Sequence, residues 1–122
     1  MDSIIKPQPR RFNAPNEAMI QQRLIKSLEK QGCYVIKLMK TNKNGIPDLM
    51  VLKKGEKPYF IEVKAPNGTV KPMQVFRARE LRRLGFQTKY VIDWIKDMPI
   101  EKHFTEEEED AFLKHVFGDE ND

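Results

Sequence analysis

The chain has 122 residues, 39% hydrophobic and 33% charged, with 22 Lys+Arg against 18 Asp+Glu. That length suits one compact domain with a small core, and the absence of a long apolar run or hydrophobic leader argues against a membrane or secreted protein. A single cysteine, Cys33, excludes an intramolecular disulfide and fits a reducing, cytoplasmic setting, while His103 and His115, far apart and without cysteine partners, make no zinc site. Charge is uneven: residues 1–104 hold 21 basic and 10 acidic side chains, residues 105–122 one and eight. A basic body of this kind suits a polyanion such as nucleic acid, although basic surfaces also serve solubility.

Residues 1–15 are rich in proline and basic side chains, including Lys6, Arg10 and Arg11. They show no apolar periodicity, so the expectation is an extended arm, disordered or lying along a phosphate backbone. Asn13 or Asn16 can then cap a helix that runs to about Gln31 and stops at Gly32. Ile20, Leu24 and Leu28 form its buried stripe. At 100° per residue Glu17 falls within that stripe, which suits either the helix dipole or a buried site.

Cys33 to Met39 reads as a first strand. It is followed by a polar loop, Lys40 to Gly45, that leads into Ile46-Pro47-Asp48. Lys37, Lys40 and Lys43 would lie near Asp48, and Lys40 and Lys43 suit either phosphate contact or ordinary solvation. Leu49 to Leu52 and Tyr59 to Ile61 are short apolar runs around a glycine-containing break, the pattern of a hairpin. With the turn centred on Gly55, facing residues have numbers summing to 110, which sets Asp48 opposite Glu62. Opposed residues share a sheet face, and alternation adds Lys64 to it. Two carboxylates opposed in this way repel unless something offsets them; a divalent cation such as Mg²⁺ or Mn²⁺ would, and Lys64 simply pairing Glu62 on a solvated edge is the plainer reading.

Ala65-Pro66-Asn67-Gly68 is a turn, and Pro72 opens a second helix that ends before Gly85. Its expected inner face is Met73, Phe76, Leu81 and Leu84, with Gln74 and Arg77 able to approach the hairpin and Arg79, Arg82 and Arg83 pointing away. Arg77 could equally snorkel to water. Gln87 to Ile92 is expected as a last strand, parallel to its predecessor. Trp94 to Phe104 reads as irregular or a short helix around Pro99. Thr105-Glu106-Glu107-Glu108 has the capping-box pattern, so a final acidic helix should run to about Phe117 with Phe112, Leu113, Val116 and Phe117 available for packing. That helix could be structural, or could mask the basic body or recruit a partner.

Glu17, Gly45-Ile46-Pro47-Asp48, Glu62-Val63-Lys64 and Gln74, followed by Leu81 and Gly85, resemble the virus-type replication-repair nuclease (VRR-Nuc) domain of the PD-(D/E)xK superfamily. The resemblance covers residues 16–93 as a core, leaving 1–15 as the arm and 94–122 as an extension. It implies an α/β, restriction-endonuclease-like core of helix-strand-strand-strand-helix-strand with a mixed central sheet. It further implies a Mg²⁺- or Mn²⁺-dependent endonuclease in which Asp48, Glu62 and the Val63 carbonyl ligate metal and Glu17 assists directly, through water or with a second ion. Lys64 would position or deprotonate the attacking water, and Gln74 would orient Lys64 or the water. Lys40, Lys43, Lys71 and Arg77 are the candidate DNA contacts. Small stand-alone members look viral or bacterial and are similar in role to Holliday junction resolvases, which implies a cytoplasmic homodimer acting on branched DNA, with nicked, flapped or duplex DNA, or non-catalytic binding, as alternatives.

Overall fold

A computed structural model describes residues 11–118; Lys6 and Arg10 of the arm lie outside the described residues. What is described of the arm is tied down, because the Arg11 guanidinium donates to Asp93 at 2.5 and 2.8 Å and Ala14 and Pro15 are buried.

The elements follow as α1 (Glu17–Lys30), β1 (Tyr34–Lys37), β2 (Leu49–Leu52), β3 (Tyr59–Val63), α2 (Pro72–Arg83), β4 (Gln87–Ile95), β5 (Met98–Lys102) and α3 (Glu106–Phe117). Asn16 is the cap of α1, its side-chain oxygen accepting from the Met19 N–H at 2.8 Å. Among the described residues the strands form one sheet in the order β1-β2-β3-β4-β5. Only β3 and β4 run parallel, joined across α2. The β2–β3 register is Leu49↔Ile61, Met50↔Phe60 and Val51↔Tyr59. All three pairs obey the sum of 110 expected from a turn at Gly55, so Asp48 and Glu62 flank the open end of the hairpin.

Each face of the sheet carries its own core. On one, α1 buries Ile20, Leu24 and Leu28 against Leu49, Val51, Ile61, Val63 and Val91. Burial of such side chains is worth about 1.5–3 kcal/mol each. On the other, Val75 and Ala78 of α2 meet Val70, Tyr90 and Phe112. Glu62 sits between Ile61 and Val63 in the strand, so alternation turns it toward the α2 face.

Three expectations are corrected. Residues 94–104 are neither irregular nor helical: β4 continues to Ile95 and turns through Lys96 and Asp97, both at positive φ, into β5. Pro99 is tolerated because β5 is an edge strand. The inner face of α2 is Val75 and Ala78, whereas Phe76 and Leu84 are exposed. The arginines turned away from the sheet meet α3: Arg79 pairs with Asp110 at 2.6 Å and Glu106 at 3.5 Å, and Arg82 pairs with the buried Glu109. The capping box of α3 is present, Thr105 and Glu108 bonding reciprocally at 2.9 and 3.1 Å. Of its apolar residues Phe112 is buried and Leu113 half-buried, while Val116 and Phe117 are exposed.

Candidate active site

The open end of the β2–β3 hairpin gathers the chemistry. Asp48 immediately precedes β2, and its Oδ2 accepts the backbone N–H of Val63 at 2.8 Å. Glu62 is 3% exposed and Lys64 8%. The Lys64 ammonium stands 3.8 Å from Glu62 Oε2, and Gln74 Nε2 donates to the same oxygen at 3.3 Å. Gln74 is held in turn, since its Oε1 accepts from the Lys71 backbone N–H at 2.8 Å in the first turn of α2.

Burial pushes the Glu62 carboxyl up to about 9, with the charge of nearby Asp48 adding to the effect and Lys64 opposing it. Glu62 Oε1 is buried and has no hydrogen-bond partner among the described residues. An orphaned carboxylate oxygen beside a second carboxylate is a donor set that fits a hard divalent ion. Mg²⁺ in particular is commonly held by one or two carboxylates, completing its shell with water and substrate phosphate.

Glu17 is exposed rather than inward. It lies in the first turn of α1, ahead of the first buried residue, Ile20. Desolvation still raises its carboxyl, with Asp48 adding to the shift and Lys64 and Lys71 opposing it. Among the described residues no three acidic, His or Cys side chains are grouped to enclose an ion. Glu17 is thus electrostatically coupled to Asp48, Lys64 and Lys71 without joining a three-ligand cluster.

The basic candidates divide. Lys40 and Lys43 are exposed on the loop before Asp48, and Lys71 is exposed at the start of α2. Arg77 is engaged within the fold: its Nε donates to the Asn44 carbonyl at 2.8 Å and its Nη1 pairs with Glu80 at 2.8 Å. Beside that contact Gly45 has φ +82, and a Cβ there would come within 2.5 Å of the Met73 carbonyl oxygen. The loop and α2 thus touch backbone to backbone just ahead of Asp48. The glycine before Pro47 was the signal for this contact; nothing in the sequence singled out Asn44.

Comparison with known proteins follows the same residues. A family model described as the VRR-NUC domain matches residues 10–91. A solved structure described as a VRR_NUC domain is 28% identical, with a TM-score of 0.56, and the likeness covers 63% of this chain and 83% of that one. A search of curated proteins finds no match.

Proposed function

Since the chain belongs to the VRR-NUC family, α/β nucleases of the PD-(D/E)xK type, we propose that it is a divalent-metal-dependent endonuclease that selects DNA by structure, in the manner of a Holliday junction resolvase. The observation that carries the chemistry is the Asp48–Glu62 pair, half-buried at Asp48 and buried at Glu62 with an unpartnered carboxylate oxygen, flanked by Lys64 and Gln74.

Asp48, Glu62 and the Val63 carbonyl would hold Mg²⁺ or Mn²⁺, with Glu17 contributing charge nearby. When bound, such an ion neutralises charge on the phosphate and acidifies water for in-line attack. The chain's own groups do the positioning. The Val63 N–H fixes the Asp48 carboxylate, and Gln74 fixes Glu62. Lys64, held in the same pocket, presents ammonium donors to a water and to the scissile phosphate. Lys40, Lys43 and Lys71 surround the mouth as sequence-independent phosphate contacts, which position DNA without reading it.

Junction selectivity and a homodimer are supported by two features. The body of the chain is basic, which suits phosphate contacts independent of sequence, and a four-way junction offers two equivalent strands that a two-fold dimer matches. Labelled junction, flap, nicked and linear duplexes should be incubated side by side with Mg²⁺ and with EDTA. Junction cutting that outpaces the others and disappears in EDTA is the expected result. Equal cutting of linear duplex would replace the resolvase reading with a general nuclease, and no cutting of any substrate would leave a DNA-binding module. Sedimentation should show a dimer, and mixing with Asp48→Asn protein should yield complexes that nick one strand without resolving the junction.

A further inference from the structure

Away from the hairpin mouth, α2, β4, β5 and the start of α3 enclose a cavity of about 340 Å³. Its walls carry the permanent cations Arg79, Arg82, Arg83 and Lys102 against two carboxylates, Glu106 and Glu109. Much of this charge is already organised. Arg82 donates to Thr88 Oγ1 at 3.0 Å and to Glu109, and the outer nitrogens of Arg79 go to Asp110 and Glu106. Arg83 and Lys102 are exposed at the rim, with no acidic partner among the described residues.

Two buried polar atoms remain unsatisfied here among the described residues: the hydroxyl of Tyr90 and Nε of Arg79. Tyr90 is 5% exposed, and Phe104 packs edge-on against its ring at 5.2 Å between centroids. Arg82 and Glu109 both act on the Tyr90 phenol, whose ionisation burial suppresses first of all. Arg82 has only donors, so it can donate to the phenol oxygen but offers the hydroxyl proton no acceptor. An orphaned buried donor is destabilising until an acceptor reaches it. Two of them facing one cationic cavity leave the same thing missing, an acceptor that carries negative charge.

We propose that this cavity binds a phosphate-type oxyanion, at a site separate from the Asp48–Glu62 pair. The Tyr90 hydroxyl and Arg79 Nε–H donate to it from the floor, and Arg83 and Lys102 close over it from the rim. The planar, multi-donor arrangement suits a tetrahedral anion with several acceptor oxygens. The same oxyanion has two sources: a free phosphate or mononucleotide, or the backbone of a DNA strand running past α3. Tyr90 is the register partner of Glu62 across the parallel β3–β4 pair, so the two sites share one sheet face with α2 over both.

The experiment uses the full chain in EDTA, so that no metal recruits phosphate to the carboxylates. Inorganic phosphate is titrated at constant ionic strength against chloride, by calorimetry and by melting temperature. Saturable binding with a raised melting temperature is expected. Arg83→Ala and Tyr90→Phe should each weaken it about tenfold, the loss typical of one hydrogen bond to a charged group, while Asp48→Asn leaves it unchanged. Tyr90→Phe should melt no lower than the parent without phosphate, because it removes an unpaired hydroxyl. A phosphodiester-linked dinucleotide, which lacks a monoester, is the second arm: competition by it assigns the site to a DNA strand, and failure to compete assigns it to free phosphate. Phosphate that does no more than chloride, or binding untouched by both Arg83→Ala and Tyr90→Phe, overturns the proposal.

Discussion

The Asp48 carboxylate accepts the backbone N–H of Val63 at 2.8 Å, the residue next to Glu62. One carboxylate of the pair is thus oriented by the strand that carries the other. The hairpin register and this backbone hydrogen bond together bring the two carboxyl groups to the same end of the sheet.

Asp48→Asn and Glu62→Gln should each abolish Mg²⁺-dependent cleavage while leaving the fold and DNA binding intact. Near neutral pH Glu62 already holds its proton, so melting without metal should stay about level there, and it should rise at alkaline pH, where the parent's two carboxylates repel. Undiminished cutting by either variant would take that residue out of the mechanism.

The raised Glu62 carboxyl makes stability depend on pH. Its folded value of about 9 lies above its ordinary 4.5, so between these values the native state holds a proton that the unfolded chain has released. The contribution is fully present below the ordinary value and is lost as pH rises through the folded one. Melting in EDTA from about pH 5 to about pH 9 should therefore fall, and Glu62→Gln should flatten the slope. Added Mg²⁺ should raise the melting point more at the alkaline end, where it no longer competes with the proton. A parent slope identical to that of Glu62→Gln would show that Glu62 titrates normally.

Glu17 tests whether field alone matters at the rim. Asn16 already caps α1, so Glu17→Gln should cost no more than about 0.3–1 kcal/mol, the helix-dipole range. Turnover should nevertheless drop, with the Mg²⁺ concentration for half-activity rising. Normal turnover and metal demand would reduce Glu17 to a helix-dipole residue.

Gly45 separates space from conformation. Gly55 has a similar φ, +79, but open surroundings, so Gly55→Ala should cost only the left-handed backbone term, about 1–2 kcal/mol. Gly45→Ala adds a clash with the Met73 carbonyl oxygen, a further ~1–3 kcal/mol by the usual cost of overpacking, and should depress activity as well. Equal melting of the two variants would mean that the loop moves away from α2 without penalty.

Lys40 and Lys43 should behave differently from Arg77 in DNA binding. Each exposed lysine changed to alanine should flatten the salt dependence by about one phosphate contact, a slope change of roughly 0.9. Arg77→Ala should leave that slope alone and lower stability and turnover instead, because its guanidinium bonds Asn44 and Glu80. A flattened slope for Arg77→Ala would return it to the phosphate contacts.

The hairpin register, the helix caps at Asn16 and Thr105 and the parallel β3–β4 pair were legible because each rests on local rules: a turn centre, a capping oxygen, a crossover. What escaped depends on neighbours distant in sequence. A single helical wheel gives α2 one partner, whereas it has two, the sheet and α3; Arg79 and Arg82 look solvent-facing until Glu106, Glu109 and Asp110 arrive about thirty positions later. Pro99 argued against a strand, and only the position of β5 at the sheet edge removes the objection. Glu17 falls on the buried stripe of a helical wheel yet is exposed in the structure, because a wheel carries no information on which turns of the helix are covered.

The contact between the loop and α2 also bears on the order in which the site can be assembled as the chain is made. Asp48 leaves the ribosome well before its supports: Val63, then Met73 against Gly45, Gln74 for Glu62, and Arg77 for Asn44. A chain that ends before α2 keeps the hairpin, both acidic residues and the Val63 N–H that orients Asp48, but lacks the Met73, Gln74 and Arg77 contacts that brace the loop and Glu62. The site is therefore assembled in two stages, the hairpin first and its bracing from α2 afterwards.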